Sequence, residues 1–221
     1  MFSWLEKRPF FFILGVIIVI TFAGVIELLP NFLKASRPLE NTKPYSVLQL
    51  AGRHTYISES CNSCHSQLIR PFKSETDRYG MYSISGEYIY DRPFLWGSKR
   101  TGPDLMRVGK YRTTAWHEYH MYEPAEVVPG SIMPSYKHLF TQLSDIETAY
   151  AEAYTVKKVF NVPYDKENMP QLGNLEEAQA LALEEAKLIA NDMQDVKVKQ
   201  MVSEGKIPKI VSIIAYMNSL K

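Results

Sequence analysis

The chain has only two cysteines in 221 residues, and they stand three positions apart. That excludes a framework of long-range disulfides, and whatever the two thiols do, they do together. Net charge is scarce as well: 25 Lys and Arg against 24 Asp and Glu leave +1. Nucleic-acid binders usually carry a basic patch or stripe, and nothing in this composition argues for one. There is no internal repeat and no low-complexity tract. Charged residues at 22% and hydrophobic residues at 46% are the proportions of a globular fold rather than of a disordered chain. The length allows one sizeable domain or two small ones.

One long apolar run is present. Pro9 to Ile26 carries no charge, and the run continues through Glu27 to Leu28 and Leu29. As a helix, residues 9–29 would span about 31 Å at 1.5 Å per residue. That matches a bilayer core of ~30 Å. Trp4 and Lys7-Arg8 would anchor one interface, and Pro30 would end the helix. A cleaved signal peptide has a shorter apolar region followed by a small-x-small site, whereas this run ends Ile-Glu-Leu-Leu-Pro. A buried core helix is disfavoured because the stretch is apolar on every face. Basic residues flank the span on both sides, Lys7 and Arg8 before it and Lys34, Arg37 and Lys43 after it, so charge does not orient it.

The two cysteines belong to Cys61-Asn62-Ser63-Cys64-His65, a Cys-x-x-Cys-His motif. This spacing reads as covalent attachment of a c-type haem. Two thiols must reach the two vinyl groups on one porphyrin edge, and the next residue must set an imidazole under the iron. One helical turn starting at Cys61 meets all three demands. A redox dithiol would want a thioredoxin-like βαβ context, which is not seen. A zinc site would want about four ligands, and His54, His117, His120 and His138 are scattered. His117 and His120 share a face of a short helix expected after Thr114 and could pair or face a propionate; as iron ligands they are disfavoured against ordinary surface or core roles.

The rest of the chain reads as mainly helical. Residues 30–45, with Pro30, Pro38 and Pro44, look like a linker. A first helix of the following domain is predicted from Tyr45 to Ser60, with Gly52 and Tyr56 on one face. A last helix is predicted from Lys209 to Leu220, where Ile210, Ile213, Ile214 and Met217 repeat at helical spacing behind Pro208. Residues 66–100, rich in tyrosine and glycine, suggest a loop or short strands. Ser144-x-x-Glu147 predicts a capped helix to about Val159, with Leu143, Ile146, Tyr150, Ala153 and Val156 as its apolar face. Asn174-x-x-Glu177 opens another, for which Gly205 is the natural stop.

Two loops carry a family likeness. Gly102-Pro103-Asp104-Leu105 resembles the Gly-Pro-x-Leu loop of class I cytochromes c. The resemblance implies that the Pro103 carbonyl accepts a hydrogen bond from the proximal histidine and raises its basicity. Ser131-Ile132-Met133-Pro134-Ser135-Tyr136 resembles the loop that supplies the distal methionine, which implies His65 and Met133 as axial ligands. Met133 is preferred to Met169-Pro170 by its neighbours and by the order of motifs. A crossing of the first and last domain helices belongs to the same likeness. Gly52 and Tyr56, however, lie nine and five residues before Cys61, one more than is usual in that family. Either the contact is offset or Ile57 replaces the tyrosine.

Taken with Trp96-Gly-Ser-Lys-Arg-Thr-Gly-Pro-Asp-Leu105 and Trp116-His117, the sequence resembles the mono-haem subunit (subunit II) of cbb3-type cytochrome c oxidases over nearly its whole length. The resemblance implies a mainly α protein: residues 1–8 cytoplasmic, 9–29 a single transmembrane anchor, 30–45 a linker, and 46–221 a class I cytochrome c-like domain with insertions. That domain would lie on the periplasmic side of a bacterial inner membrane and carry one haem c. The implied role is electron transfer, with no catalytic site in this chain, beside a haem–copper catalytic subunit and a di-haem cytochrome c subunit. The alternatives are the cytochrome subunit of a nitric oxide reductase and a free-standing anchored cytochrome c.

Overall fold

The computed structural model describes residues 3–33, 39, 42–160, 162–164 and 174–220. The chain divides into two units, Met1–Arg37 and Pro38–Lys221.

The first unit holds a one-turn helix α1 (Ser3–Glu6) and the long α2 (Pro9–Leu33). Residues Pro9–Leu29 have a mean hydropathy of 2.7, and the helix is long and apolar enough to cross a membrane. Large side chains such as Phe10, Val19 and Phe22 stand exposed around it, as a lipid-facing surface requires. Arg8 lies over the Trp4 ring, 5.0 Å from its centroid, an amphipathic pair suited to the headgroup level. Pro30 does not end this helix, which runs on to Leu33. A proline costs one backbone hydrogen bond but holds a helical φ, so a single one is tolerated in an apolar helix. Residues 34–38, the centre of the expected linker, lie outside the described residues.

The second unit is helical, with no strand among the described residues. Its helices are α3 (Val47–Ser58), α4 (Lys73–Tyr79), α5 (Thr114–Tyr122), α6 (Pro124–Val127), α7 (Ile146–Phe160), α8 (Leu175–Asp192), α9 (Val196–Ser203) and α10 (Lys209–Ser219). Ser46 opens α3 through a capping box: its hydroxyl accepts from Gln49 N–H while the Gln49 side chain accepts from Ser46 N–H. Helices α3 and α10 cross at Gly52. A Cβ there would lie 1.9 Å from the Ser212 carbonyl oxygen and 2.9 Å from the Tyr216 Cβ, so only glycine permits the approach. Helix α10 buries Ile210, Val211, Ile213, Ile214 and Met217 in the main core. Burial of one such side chain contributes about 1.5–3 kcal/mol.

The outer helices differ from expectation in three places. Helix α7 is capped by Asp145, whose carboxylate accepts from Thr148 N–H and hydroxyl at 2.8 and 2.6 Å. Ser144 instead donates to Ser212 on α10, and Leu143 is exposed rather than part of the apolar face. The stretch from Asn174 to Gly205 is two helices, because Asp195 caps α9 by accepting from Lys197 and Val198 N–H. Residues 66–100 form α4 and a 3₁₀ turn at Ser85–Tyr88, without strands. Buried Arg53 of α3 ties that segment down through Asp91, 3.2 Å away, and through the Arg92 and Pro93 carbonyls. Ala178, Ala182, Ala186 and Ala190 line the buried face of α8 at every fourth residue, which lets its neighbours approach closely.

Candidate haem site

The Cys-x-x-Cys-His segment follows α3 directly. Ser60 adopts left-handed backbone angles (φ 58°, ψ 29°) and starts a 3₁₀ turn at Cys61–Ser63. Cys64 and His65 N–H both donate to the Cys61 carbonyl, at 3.2 and 2.9 Å. Both thiols and the imidazole therefore leave from one turn, and both cysteines are free. Burial, aided by Glu59, pushes the Cys61 thiol up to about 12, so it stays protonated.

The Ser60 kink explains the extra residue before Cys61. It absorbs the offset, so Tyr56 is fully buried on α10, with its ring 5.7 Å from that of Tyr216, while Ile57 covers the same core only in part. The Tyr56 hydroxyl donates to the His65 carbonyl at 3.2 Å. The core crossing and the histidine are thus joined by one side chain.

His65 Nδ1 lies 2.8 Å from the Pro103 carbonyl oxygen. A carbonyl only accepts, so Nδ1 carries the hydrogen and the Nε2 lone pair is left for a metal. Burial lowers the imidazole's proton affinity, against the raising influence of Pro103 and Asp104, and favours the neutral, ligating form. Gly102 lies flat on the ring: a Cβ there would be 2.2 Å from His65 Cε1. The loop is stitched to the histidine's own segment by Gly102 N–H to the Cys64 carbonyl (3.0 Å) and Leu105 N–H to the Ser66 carbonyl (2.9 Å).

The loop from Ser131 to Tyr136 ends on the core against which Cys61 also packs. Tyr136 N–H donates to the Met121 carbonyl of α5 at 2.8 Å. Burial, together with Cys61, Glu59 and Cys64, pushes the Tyr136 phenol up to about 12, which sets it beside the cysteine pair. Met133 is half-buried on this loop, with its N–H on the Ser131 hydroxyl at 3.3 Å. Met169-Pro170 lies outside the described residues.

Helix α5 adds a layered stack. Arg112 lies 4.3 Å from the Trp116 centroid, and Trp116 stacks on His120 at 4.4 Å and 17°. The Nδ1 of His120 and the Nε2 of His117 are buried with no hydrogen-bond partner among the described residues. Burial foremost, with His65 and Arg112 adding to it, lowers His120 to about 4. Arg112 stands four residues before Trp116, so that spacing was the available signal for the stack.

Two free thiols on one turn, an imidazole with Nε2 uncommitted, a ring cradled by a glycine and unpaired imidazole nitrogens nearby suit a covalent haem. Among the described residues, no three His, Cys, Asp or Glu side chains gather as a group that could hold a metal ion. The family model for cytochrome c oxidase, mono-heme subunit/FixO, matches residues 2–221. The chain belongs to the FixO family. No curated protein matches it in sequence. As a FixO protein it is a mono-haem cytochrome subunit of a cytochrome c oxidase complex. The helical domain with one apolar N-terminal helix accords with that membership.

Proposed function

We propose that this FixO protein relays single electrons to the oxygen-reducing haem–copper subunit of its oxidase, and that the di-haem subunit or a soluble cytochrome is the donor. The observation that carries the reading is the His65–Pro103 hydrogen bond at 2.8 Å, one residue beyond a turn bearing two free thiols. When bound there, a c-type haem supplies one-electron exchange between ferric and ferrous iron. Cys61 and Cys64 hold it covalently. His65 ligates through Nε2, and Met133 supplies a thioether that favours the reduced state. Pro103 keeps the imidazole in one tautomer and makes it more basic. Residues 9–29 anchor the chain in the inner membrane, residues 1–8 are cytoplasmic, and the domain of residues 46–221 faces the periplasm.

The test is a reduced pyridine haemochrome spectrum on the gently solubilised, affinity-purified complex. Haem c appearing with haem b and oxygen-reductase activity is expected. Haem c alone in a small inactive particle would make the protein a lone carrier. Cys61→Ala or Cys64→Ala retaining normal covalent haem would remove the attachment site from this motif.

A further inference from the structure

Arg100 and Asp104 bracket the five-residue loop that carries Pro103, and both are tied to Ser66, the residue after His65. The Ser66 hydroxyl accepts from Arg100 Nε at 2.6 Å and donates to Asp104 Oδ2 at 2.7 Å. Asp104 is buried, and its remaining acceptor sites take Leu68 N–H (2.8 Å) and Met106 N–H (2.9 Å). Arg100 Nη2 donates to the Leu68 carbonyl at 2.6 Å, and its fork is closed by Glu75 at 2.7 and 2.8 Å. One hydroxyl thus closes the loop at both ends, and the other bonds hold Arg100 and Asp104 on either side of Pro103. Charge-assisted bonds in a buried setting are the strong ones, so the clasp is stiff.

We propose that Arg100, Ser66 and Asp104 are positioning residues that set the strength of the His65–Pro103 hydrogen bond and, through it, the redox equilibrium of the iron that His65 holds. The inference rests on the haem reading given above. A strong Nδ1–H···O=C bond makes the imidazole a better donor, which favours ferric over ferrous iron. Loosening the clasp weakens that bond and raises the reduction potential, whichever member is removed.

Three single variants separate position from charge: Ser66→Ala, Asp104→Asn and Arg100→Gln, each in the full-length chain in detergent. Their potentials are read by spectroelectrochemical titration, with covalent haem content measured on the same samples. Positioning predicts an upward shift in all three, by up to about tenfold in the redox equilibrium, about 59 mV for one electron. A pure field effect predicts a rise for Asp104→Asn, a fall for Arg100→Gln and no change for Ser66→Ala; that pattern, or no shift at all, overturns the proposal. If Asp104→Asn accumulates no holoprotein, the other two variants decide. Absence of covalent haem from the unmodified chain would instead overturn the functional reading beneath it.

Discussion

Glu118 of α5 accepts the backbone N–H of Asp195 at 2.7 Å and that of Gln194 at 2.6 Å, so one buried carboxylate holds the junction between α8 and α9. A carboxylate has only acceptors to offer, and both oxygens are used. Glu118→Gln turns an NH₂ toward one of those N–H groups. It is expected to cost about 2 kcal/mol, within the range for losing a hydrogen bond to a charged group. In a chain of this size that lowers Tm by roughly 4–8 °C. Thermal unfolding followed by helical circular dichroism checks it, and an unchanged Tm would mean the junction is held elsewhere.

Gly52→Ala places a methyl group against the Ser212 carbonyl, and backbone on backbone cannot yield as a flexible side chain does. Overpacking of this kind costs about 1–3 kcal/mol or more. The expected result is a clear drop in the denaturant midpoint. Gly24→Ala, which meets nothing within 4 Å, should leave it where it was.

Met133→His is expected to lower the reduction potential and abolish the weak red-edge ferric absorption of a thioether ligand. Met169→Leu should change neither. The reverse pattern would assign the second axial position to Met169.

Burial foremost, with His120 and Arg112 adding to it, lowers His117 to about 4. The unfolded chain has an ordinary histidine near 6.5. Between those values the unfolded state binds a proton that the native state refuses. Stability from this residue is therefore complete above about pH 6.5, falls as pH drops to about 4, and then levels off. His117→Gln should reduce the loss between pH 7 and pH 4.5 by about 2 kcal/mol. Denaturant titrations at both pH values measure it, and an undiminished acid slope would show that His117 is protonated in the native state.

Local chemistry was the legible part of the sequence. The Cys61 to His65 spacing, the turn at Gly102-Pro103 and the apolar period of α10 each follow from residues within a few positions of one another, and the structure has a turn, a loop and a helix there. What stayed hidden depends on distant partners. Asp195 breaks the stretch after Asn174 with its junction held by Glu118, far away in sequence. Ser144 resembles a cap but is drawn to Ser212, leaving the role to Asp145. Arg100 and Asp104 were visible as letters in a motif, but their meeting at Ser66 was not. Tyr56 kept its place because Ser60 took up a backbone conformation that no spacing rule assigns to serine.

The crossing of α3 and α10 at Gly52 also governs timing. The helix that immediately precedes Cys61 buries one face, with Leu48, Gly52 and Tyr56, against α10, and another, with Val47, Leu50 and Ala51, against α7. Roughly 150 residues separate α3 from α10, and at about 5–20 residues per second their synthesis takes roughly 8–30 s. Through that interval the cysteine turn has no closed core behind it. On the haem reading proposed above, the thiols are presented on a pliable segment while a bulky planar group is brought to them, and docking of α10 on Gly52 then shuts the fold around it.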